Sequence, residues 1–232
     1  MRLSVVKLGS IEYQKALDLQ LKLLKLSQQE AIEDLLLLLE HSPVLTVGIN
    51  GKDNNILIDE DILGKMGVSV FHSNRGGDVT YHGPGQIVGY PILNLNHFGK
   101  DVKDYVRRLE ETTIMVMKDE YGLKADRKPG FPGVWVGNDK ITAIGCAVKR
   151  WVTMHGFALN VNTNLEHFRW INPCGFTDKG VTSLERLLGK PQDIDIVMNQ
   201  VMKHFAALFH IEPEVIDKEV FFRKLEDLTD GE

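Results

Sequence analysis

The sequence of 232 residues predicts an α+β fold in which a mixed β-sheet is covered by helices. In the first half of the chain, apolar runs typical of strands alternate with segments of helical spacing. Later, the runs Lys140–Val148 and Trp151–Val161 are separated only by Lys149–Arg150, so they are expected to pair as antiparallel strands. Hydrophobic residues make up 43% of the chain, which is enough for a sizeable core.

The first elements are a strand and a long helical segment. Residues Met1–Leu8 alternate well enough for a short strand. Apolar residues then recur near helical spacing from about Ser10 to Glu40, which predicts a helix. A capping-box pattern at Ser27–Glu30 leaves two helices open as the alternative. Pro43–Gly48 is predicted as a strand with proline at its entry.

The middle of the chain alternates again between strands and helices. A short helix is predicted over Asp59–Lys65, followed by a strand over Val68–Phe71. After a loop rich in glycine, Gln86–Leu95 has the pattern of a strand. Apolar spacing over Val102–Tyr121 predicts a helix, which Gly122 ends.

The remaining segments complete the mixed order. A loop over Arg127–Pro132 precedes a short strand over Gly133–Val136. A capping box at Thr182–Glu185 predicts one helix, and Asp193–Phe209 a second. We expect residues 1–232 to form a single domain, with residues 190–232 as a helical C-terminal extension of it.

Composition excludes several classes of protein. The formal charge is 27 − 32 = −5, which argues against a basic nucleic-acid-binding protein. Apolar runs such as Leu35–Leu39 fall far short of the roughly 20 residues that a membrane span needs. The N-terminus is too short in apolar residues for a signal peptide. We therefore expect a cytoplasmic protein that contacts neither membrane nor nucleic acid.

Cysteine and histidine spacing gives no sign of a metal site. The two cysteines, Cys146 and Cys174, are too few for a disulfide scaffold, and neither lies in a C-x-x-C pattern. Cys146 lies within a predicted strand, as a structural cysteine does. Cys174 lies between Pro173 and Gly175 in a stretch without helix or strand pattern, so it is the candidate reactive thiol.

The glycine-rich segment Arg75–Gln86 is the strongest functional signal in the chain. It combines four glycines with an arginine, a tyrosine and a histidine between two apolar runs. Clustered glycine indicates a backbone that turns sharply or comes close to a bound molecule. An ordinary surface loop is the alternative. The segment matches neither common phosphate-binding pattern, G-x-x-x-x-G-K-[ST] or G-x-G-x-x-G.

The chain resembles the lipoyl(octanoyl) transferases, the octanoyltransferases of lipoic acid synthesis. The resemblance covers roughly residues 44–187. Its motifs are Arg75–Gly76–Gly77, Thr80–Tyr81–His82–Gly83, Gly85–Gln86, Lys140–Ile141–Thr142–Ala143–Ile144–Gly145, Pro173–Cys174–Gly175 and Gly180–Val181–Thr182–Ser183–Leu184.

The resemblance implies a fold like that of the biotin and lipoate protein ligases. It implies that Cys174 takes the octanoyl group from octanoyl-acyl carrier protein and passes it to a lysine of a lipoyl domain. Expected acceptors are the lipoyl domains of 2-oxoacid dehydrogenase complexes and the glycine cleavage H protein. Neither cofactor nor metal is expected. The implied acyl-binding residues are Arg75, Gly76, Gly77, Asp78, Val79, Thr80, Tyr81, His82, Ala143, Ile144, Gly145, Gly156, Phe157 and Ala158.

The resemblance also pairs Cys174 with Lys140, and the chemistry agrees. A free thiol with a pKa near 8.5 is only a few per cent thiolate at pH 7. A nearby ammonium favours the thiolate through its charge. Backbone N–H groups near Gly76–Gly77 or near Cys174 are the candidate oxyanion donors. His82 is expected in the pocket wall rather than as a base, and His155 as a structural strand histidine.

Three other readings remain open from the sequence. An ATP-dependent lipoate or biotin protein ligase would activate a free acid and would not need Cys174. A divergent octanoyltransferase would carry its cysteine elsewhere or accept a lipoyl-carrying donor. A non-catalytic acyl-binding module would need neither Cys174 nor Lys140. For docking acidic partners, the candidate basic pairs are Arg107–Arg108, Arg127–Lys128 and Lys149–Arg150.

Overall fold

A computed structural model describes residues 1–172 and 180–228, and two β-sheets organise them. The strands are β1 (Arg2–Ile11), β2 (Asp34–His41), β3 (Val44–Val47), β4 (Ser69–His72), β5 (Val79–His82), β6 (Gln86–Ile92), β7 (Asp126–Lys128), β8 (Phe131–Val136), β9 (Asp139–Lys149), β10 (Val152–Asn160), β11 (Gly180–Val181) and β12 (Glu212–Val215). The α-helices are α1 (Tyr13–Gln28), α2 (Glu60–Lys65), α3 (Val102–Met115), α4 (Leu184–Leu188), α5 (Ile194–Phe209) and α6 (Lys218–Asp227).

The larger sheet is mixed, as the sequence predicts. Its strand order is β12-β1-β2-β6-β10-β9-β8-β7, with β11 beside β9. Strand β1 runs parallel to both β2 and β12, whereas β6, β10, β9 and β8 are joined by antiparallel pairing. The smaller sheet has the order β4-β3-β5 and carries the glycine-rich segment at its edge.

The helix predicted over Ser10–Glu40 is correct only for α1. The chain turns at Glu30, whose φ is 57°, and Leu35–Leu39 form strand β2. Leu36 and Leu38 belong to the core cluster on one face of the sheet, and Leu35, Leu37 and Leu39 to the cluster on the other. A strand buried on both faces has no polar alternation, so its sequence resembles a buried helix.

Most other predicted elements are present, and some short strands were missed. The predicted β9–β10 pair is an antiparallel hairpin, and helices α2, α3 and α5 lie where expected. The glycine-rich segment contains strand β5, Val79–His82, which pairs with β3. The loop predicted over Arg127–Pro132 overlaps strands β7 and β8, which pair with each other. Residues 190–228 are also not wholly helical, because β12 pairs with β1.

Two core clusters hold the large sheet between helices. On one face, α3 and α5 pack through Leu109, Val201 and Phe205. On the other, α1 and α6 pack through Leu23 and Phe221. Within the described ranges, 1–172 and 180–228, the helices are all too short or too polar to cross a bilayer.

Candidate active site

A cavity of about 500 Å³ opens where the glycine-rich segment meets strands β9 and β10. Part of its wall consists of buried side chains, including Tyr13, His82 and Tyr90. Exposed residues such as Pro132 and Arg169 line it elsewhere and mark its mouth. Small residues of β9 and β10 leave room between these ends for an extended aliphatic chain.

Arg75 organises the backbone of the glycine-rich segment. Its side chain donates to Thr46 Oγ1 at 3.0 Å, to the Gly76 carbonyl at 3.0 Å, to the Asp78 carbonyl at 2.6 Å and to the Thr46 carbonyl. Burial lowers the pKa of this guanidinium from its usual value. All four acceptors are uncharged backbone or hydroxyl oxygens. The bonds to Thr46 of β3 fix the segment against the smaller sheet.

The glycine-rich segment docks on the large sheet through one backbone contact. The Gly76 N–H donates to the Cys146 carbonyl of β9 at 3.0 Å. A Cβ at Gly145 would lie 2.9 Å from the Gly76 carbonyl oxygen, so glycine is required there for the close approach. This contact places the backbone at Gly76 directly against β9.

Two histidines and two tyrosines form a cluster of rings at the buried end, held by hydrogen bonds and ring stacking. His41 Nδ1 donates to the Ile11 carbonyl at 2.8 Å, so its Nε2 accepts from the Tyr90 hydroxyl at 2.7 Å. His82 Nδ1 donates to Gln86 Oε1 at 2.7 Å. The Tyr13 ring stacks on His82, with 6.3 Å between the ring centroids. These bonds fix the rings that close the cavity.

His155 has a special backbone as well as a buried side chain. Its φ of 56° is rare for a non-glycine residue inside a strand. Gln20 of α1 accepts its N–H at 2.7 Å, and His155 Nε2 donates to Asn74 Oδ1 at 2.7 Å. The expectation of a strand histidine is thus met, and the same residue joins α1, β10 and the segment before Arg75.

Burial keeps these imidazoles neutral. It lowers the pKa of His41 to about 4, and burial together with the Arg75 charge lowers the pKa of His155 to about 4. Burial, followed by the neighbouring His41 and Arg75, also holds the pKa of His82 well below its usual value. Burial raises the pKa of Tyr90 well above its usual value. None of these groups adds charge to the cavity near neutral pH.

Lys140 reaches the cavity from the start of β9. Its Nζ lies 4.9 Å from the ring centroid of Trp135, its partner in the β8–β9 register. A Cβ at Gly133 would lie 3.4 Å from Lys140 Cε, so the lysine stem passes directly over this glycine. The ammonium is therefore guided along β8 to the cavity wall.

Cys174 lies outside the described residues. The described residues on either side of it, Asn172 and Gly180, both line the cavity. Asn172 is held by its N–H, which donates to the Asn55 carbonyl at 2.8 Å, and Gly180 by pairing with Asp139. The chain thus leaves and re-enters the described structure at the wall that also holds Lys140.

The cavity brings together most of the sequence-predicted binding residues. Two lie beside it instead. Gly76 faces β9, and Tyr81 packs in the core under the smaller sheet against Phe168. The predicted residues in the wall are Arg75, Gly77, Asp78, Val79, Thr80, His82, Lys140, Ala143, Ile144, Gly145, Gly156, Phe157 and Ala158.

Several wall residues were not predicted from sequence. Trp135 lies on β8, Tyr13 on α1 and Tyr90 on β6, and all three are outside the quoted motifs. Only Trp135 had a readable signal, because the Gly137–Asp139 turn fixes which β8 residue lies opposite Lys140. Tyr13 and Tyr90 reach the cavity through tertiary packing, which a single sequence does not reveal.

The predicted basic pairs differ in their position and partners. Arg108 pairs with Asp104 at 2.6 Å, and Arg127 with Glu110 at 2.9 Å. Lys149–Arg150 is nine to ten residues along β9 from Lys140, a distance of about 30 Å. Lys128 is nearer, since its Nζ lies 4.8 Å from the ring centroid of Trp135. The pair Arg127–Lys128 thus contacts a residue of the cavity wall.

A known family model and several curated proteins match most of the chain. The family model of the lipoyl protein ligase A/B catalytic domain matches residues 12–206. An octanoyltransferase of Desulforamulus reducens is 60% identical over 217 residues, covering 94% of this chain and 95% of that protein. An octanoyltransferase of Caldicellulosiruptor saccharolyticus is 56% identical over 220 residues, covering 94% of each.

Solved structures show the same fold at much lower identity. A lipoate-protein ligase A bound with ATP superposes with a TM-score of 0.71 at 18% identity, covering 97% of this chain and 94% of that one. The biotin protein ligase of Aquifex aeolicus in complex with biotin and ATP gives 0.55 at 14% identity, covering 90% and 70%. These likenesses confirm the fold predicted from the resemblance.

Proposed function

The chain belongs to the lipoyl protein ligase A/B catalytic-domain family, with octanoyltransferases as its relatives of high identity, and from this membership we propose how its residues act. The protein is an acyltransferase that moves an octanoyl group in protein lipoylation. Acyl carrier protein and lipoyl domains are its general classes of substrate. The residue roles below are our proposal.

The main support for this proposal is that one cavity is lined by most of the predicted acyl-binding residues and by Lys140. The described residues that flank Cys174, Asn172 and Gly180, line the same cavity. Cys174 follows Asn172 by two positions in the sequence, and Asn172 is part of the cavity wall. We assign Cys174 as the nucleophile and Lys140 as the group that lowers the pKa of its thiol. The predicted binding residues that line the cavity hold the octanoyl chain.

In the first half-reaction, the Cys174 thiolate attacks the thioester carbonyl of octanoyl-acyl carrier protein. A bond forms between Cys174 Sγ and the acyl carbon, and the bond to the carrier sulfur breaks. Lys140 gives its proton to the departing carrier thiolate, which leaves octanoyl-Cys174 and a neutral Lys140. Backbone N–H groups near Gly77 are the candidate donors to the tetrahedral oxyanion.

In the second half-reaction, the amine of the acceptor lysine attacks octanoyl-Cys174. Lys140 takes the proton that the amine loses, an amide bond forms, and the Cys174 thiolate leaves. This restores the thiolate and the Lys140 ammonium, so the cycle balances without ATP. A substrate that enters only after the first product has gone gives ping-pong kinetics.

The finer assignments of partner, location and domain belong to the same proposal. We propose as acceptors the lipoyl domains of 2-oxoacid dehydrogenase complexes and the glycine cleavage H protein, in the cytoplasm. We also propose that residues 1–232 act as one catalytic domain. Pairing of β12 with β1 and burial of Phe221 beneath the sheet support this, because both join residues 190–228 to the sheet.

Intact-protein mass spectrometry after incubation with octanoyl-acyl carrier protein, without ATP, tests the nucleophile. We expect one octanoyl adduct on the wild type and on Cys146→Ala, and none on Cys174→Ala. Cys146 is the matched control because burial raises the pKa of its thiol to about 11. An octanoyl adduct on Cys174→Ala would refute the assignment.

The ligase alternative has the same fold but less support. Its likeness to this chain lies at 18% identity or below, whereas the octanoyltransferases are more than half identical. Activity that required ATP and free octanoate, with no adduct from the carrier thioester, would move the protein to that class.

A further inference from the structure

Two lysine ammonium groups share the ring of one buried tryptophan at the cavity wall. Lys140 Nζ lies 4.9 Å from the ring centroid of Trp135, and Lys128 Nζ lies 4.8 Å from it. Trp135 is only 4% exposed. An ammonium at this distance is attracted by the negative face of an indole ring, and more strongly where water is excluded.

Strand pairing makes this arrangement a fixed feature. Trp135 and Lys140 are direct partners in the antiparallel β8–β9 register, so their side chains stand on the same face. Lys128 comes from β7, the next strand of the sheet. Its ammonium also donates to Asn138 Oδ1 at 2.8 Å, in the turn between β8 and β9.

The backbone beneath the lysine is anchored from the other side. Glu110 of α3 accepts the Gly133 N–H at 2.9 Å and pairs with Arg127 at 2.9 Å. Gly133 lies below the Lys140 stem, and its φ of 122° together with the close Thr142 carbonyl leaves no room for a side chain. The aliphatic part of Lys140 thus packs over Gly133, and its ammonium lies against the ring of Trp135.

We propose that Trp135 is a positioning residue for Lys140. Its ring holds the Lys140 ammonium at the cavity wall, where the ammonium favours the thiolate of Cys174. The contact of Lys128 with the same ring, tied by Asn138, fixes the ring in its orientation. This inference rests on the proposed roles of Cys174 and Lys140.

The pH dependence of Cys174 alkylation by iodoacetamide tests the proposal on the free enzyme. Without substrate, a residue that only contacts the acyl chain leaves this profile unchanged. We expect Trp135→Leu to shift the half-maximal rate to higher pH, with about a threefold loss of rate at pH 7. Trp135→Phe, which keeps a ring, restores part of the loss. Peptide mass spectrometry separates Cys174 from Cys146.

Two comparisons interpret the result. Lys140→Met is expected to shift the profile further than Trp135→Leu, and the double variant no further than Lys140→Met alone. Trp151→Phe, at the exposed end of the β9–β10 hairpin, is the matched control and keeps the wild-type profile. A shift with Lys140→Met but none with Trp135→Leu would overturn this inference alone. No shift with Lys140→Met would overturn the proposed role of Lys140 itself.

A second measurement keeps Trp135 in place, in case its replacement prevents folding. The chain has three tryptophans, so Trp151→Phe with Trp170→Phe leaves Trp135 as the single tryptophan, which is excited selectively. Lys140→Met and Lys128→Met are each expected to change its fluorescence, since each removes a cation from the ring. Emission unchanged by both would show that the ring does not hold the ammonium groups, and the proposal would fall.

Discussion

At the scale of single residues, the buried histidines around the cavity link its polarity to the stability of the protein. His41 and His155 have pKa values lowered to about 4, whereas an unfolded histidine titrates near pH 6.5. Between these values the unfolded chain binds more protons than the folded chain. The free energy of unfolding therefore falls as the pH drops from about 6.5 towards 4.

We expect urea unfolding at pH 5.0 to show a loss of about 2 kcal/mol for each of these two histidines relative to pH 7.5. His41→Gln should reduce that loss, because one titrating group is gone. His210→Asn is the matched control, since His210 is exposed in the turn after α5. An equal pH dependence in His41→Gln and the wild type would contradict this account.

Replacement by alanine is expected to have different effects at two glycines, because only one of them has space for a Cβ atom. At Gly89 of β6 a Cβ would collide with the Phe157 ring, and Phe157 lines the cavity. Gly89→Ala is expected to raise the KM for octanoyl-acyl carrier protein about tenfold, within the usual cost of overpacking. At Gly64 of α2 a Cβ meets nothing within 4 Å. Gly64→Ala is expected to stabilise the fold by about 0.5–1 kcal/mol with transfer unchanged.

At the scale of elements, α3 supports the cavity through one carboxylate. Glu110 accepts from Gly133 and Arg127, so its loss leaves a buried N–H without its acceptor. We expect Glu110→Ala to lower the free energy of unfolding by about 2–3 kcal/mol and to slow octanoyl transfer. Denaturant unfolding and transfer kinetics measure the two effects.

The neighbouring Glu111 is the control for that prediction. It pairs with the same Arg127 at 2.6 Å, but about a third of its side chain is exposed. Glu111→Ala is therefore expected to cost less than about 1 kcal/mol and to leave transfer unchanged. Equal losses in the two variants would mean that the Gly133 contact is unimportant.

Helices with one apolar face were predictable from the sequence, whereas the buried strand formed by Leu35–Leu39 and the exposed strand β12 were not. Helices α3 and α5 have apolar faces bounded by capping aspartates, Asp101 and Asp193, and both were found. Leu35–Leu39 were assigned to a helix because a strand covered on both faces shows no period. Strand β12 was missed because four exposed residues become a strand only beside β1.

The residues of the candidate site were also predictable only in part. Residues within the motifs, such as Arg75 and Lys140, could be read from the sequence because spacing and residue type together are specific. Tyr13 and Tyr90 could not, because both lie outside the motifs and only the folding of the chain brings their side chains to the cavity. The sequence also did not show which motif residues face the cavity. The side chain of Tyr81, for example, lies on the other face of β5 and packs in the core.

At the scale of the whole molecule, the C-terminal region completes a face of the large sheet. Phe221 of α6 is 6% exposed and belongs to the cluster shared with α1. We expect Phe221→Ala to lower the free energy of unfolding by about 3–4 kcal/mol, as for other buried phenylalanines. Phe222→Ala, at a half-buried position, is the matched control with a loss of about 1 kcal/mol. A wild-type unfolding midpoint for Phe221→Ala would show that α6 is dispensable.

The parallel pairing of β1 with β12 joins two strands that are synthesised far apart in time. Strand β1 is synthesised about 210 residues before β12, so its outer edge finds its partner only after residue 215 has been made. At ordinary elongation rates this takes about 10–40 s. Throughout that time the nascent chain presents an open strand edge. Newly synthesised chains should thus need protection by chaperones that completed, folded chains do not.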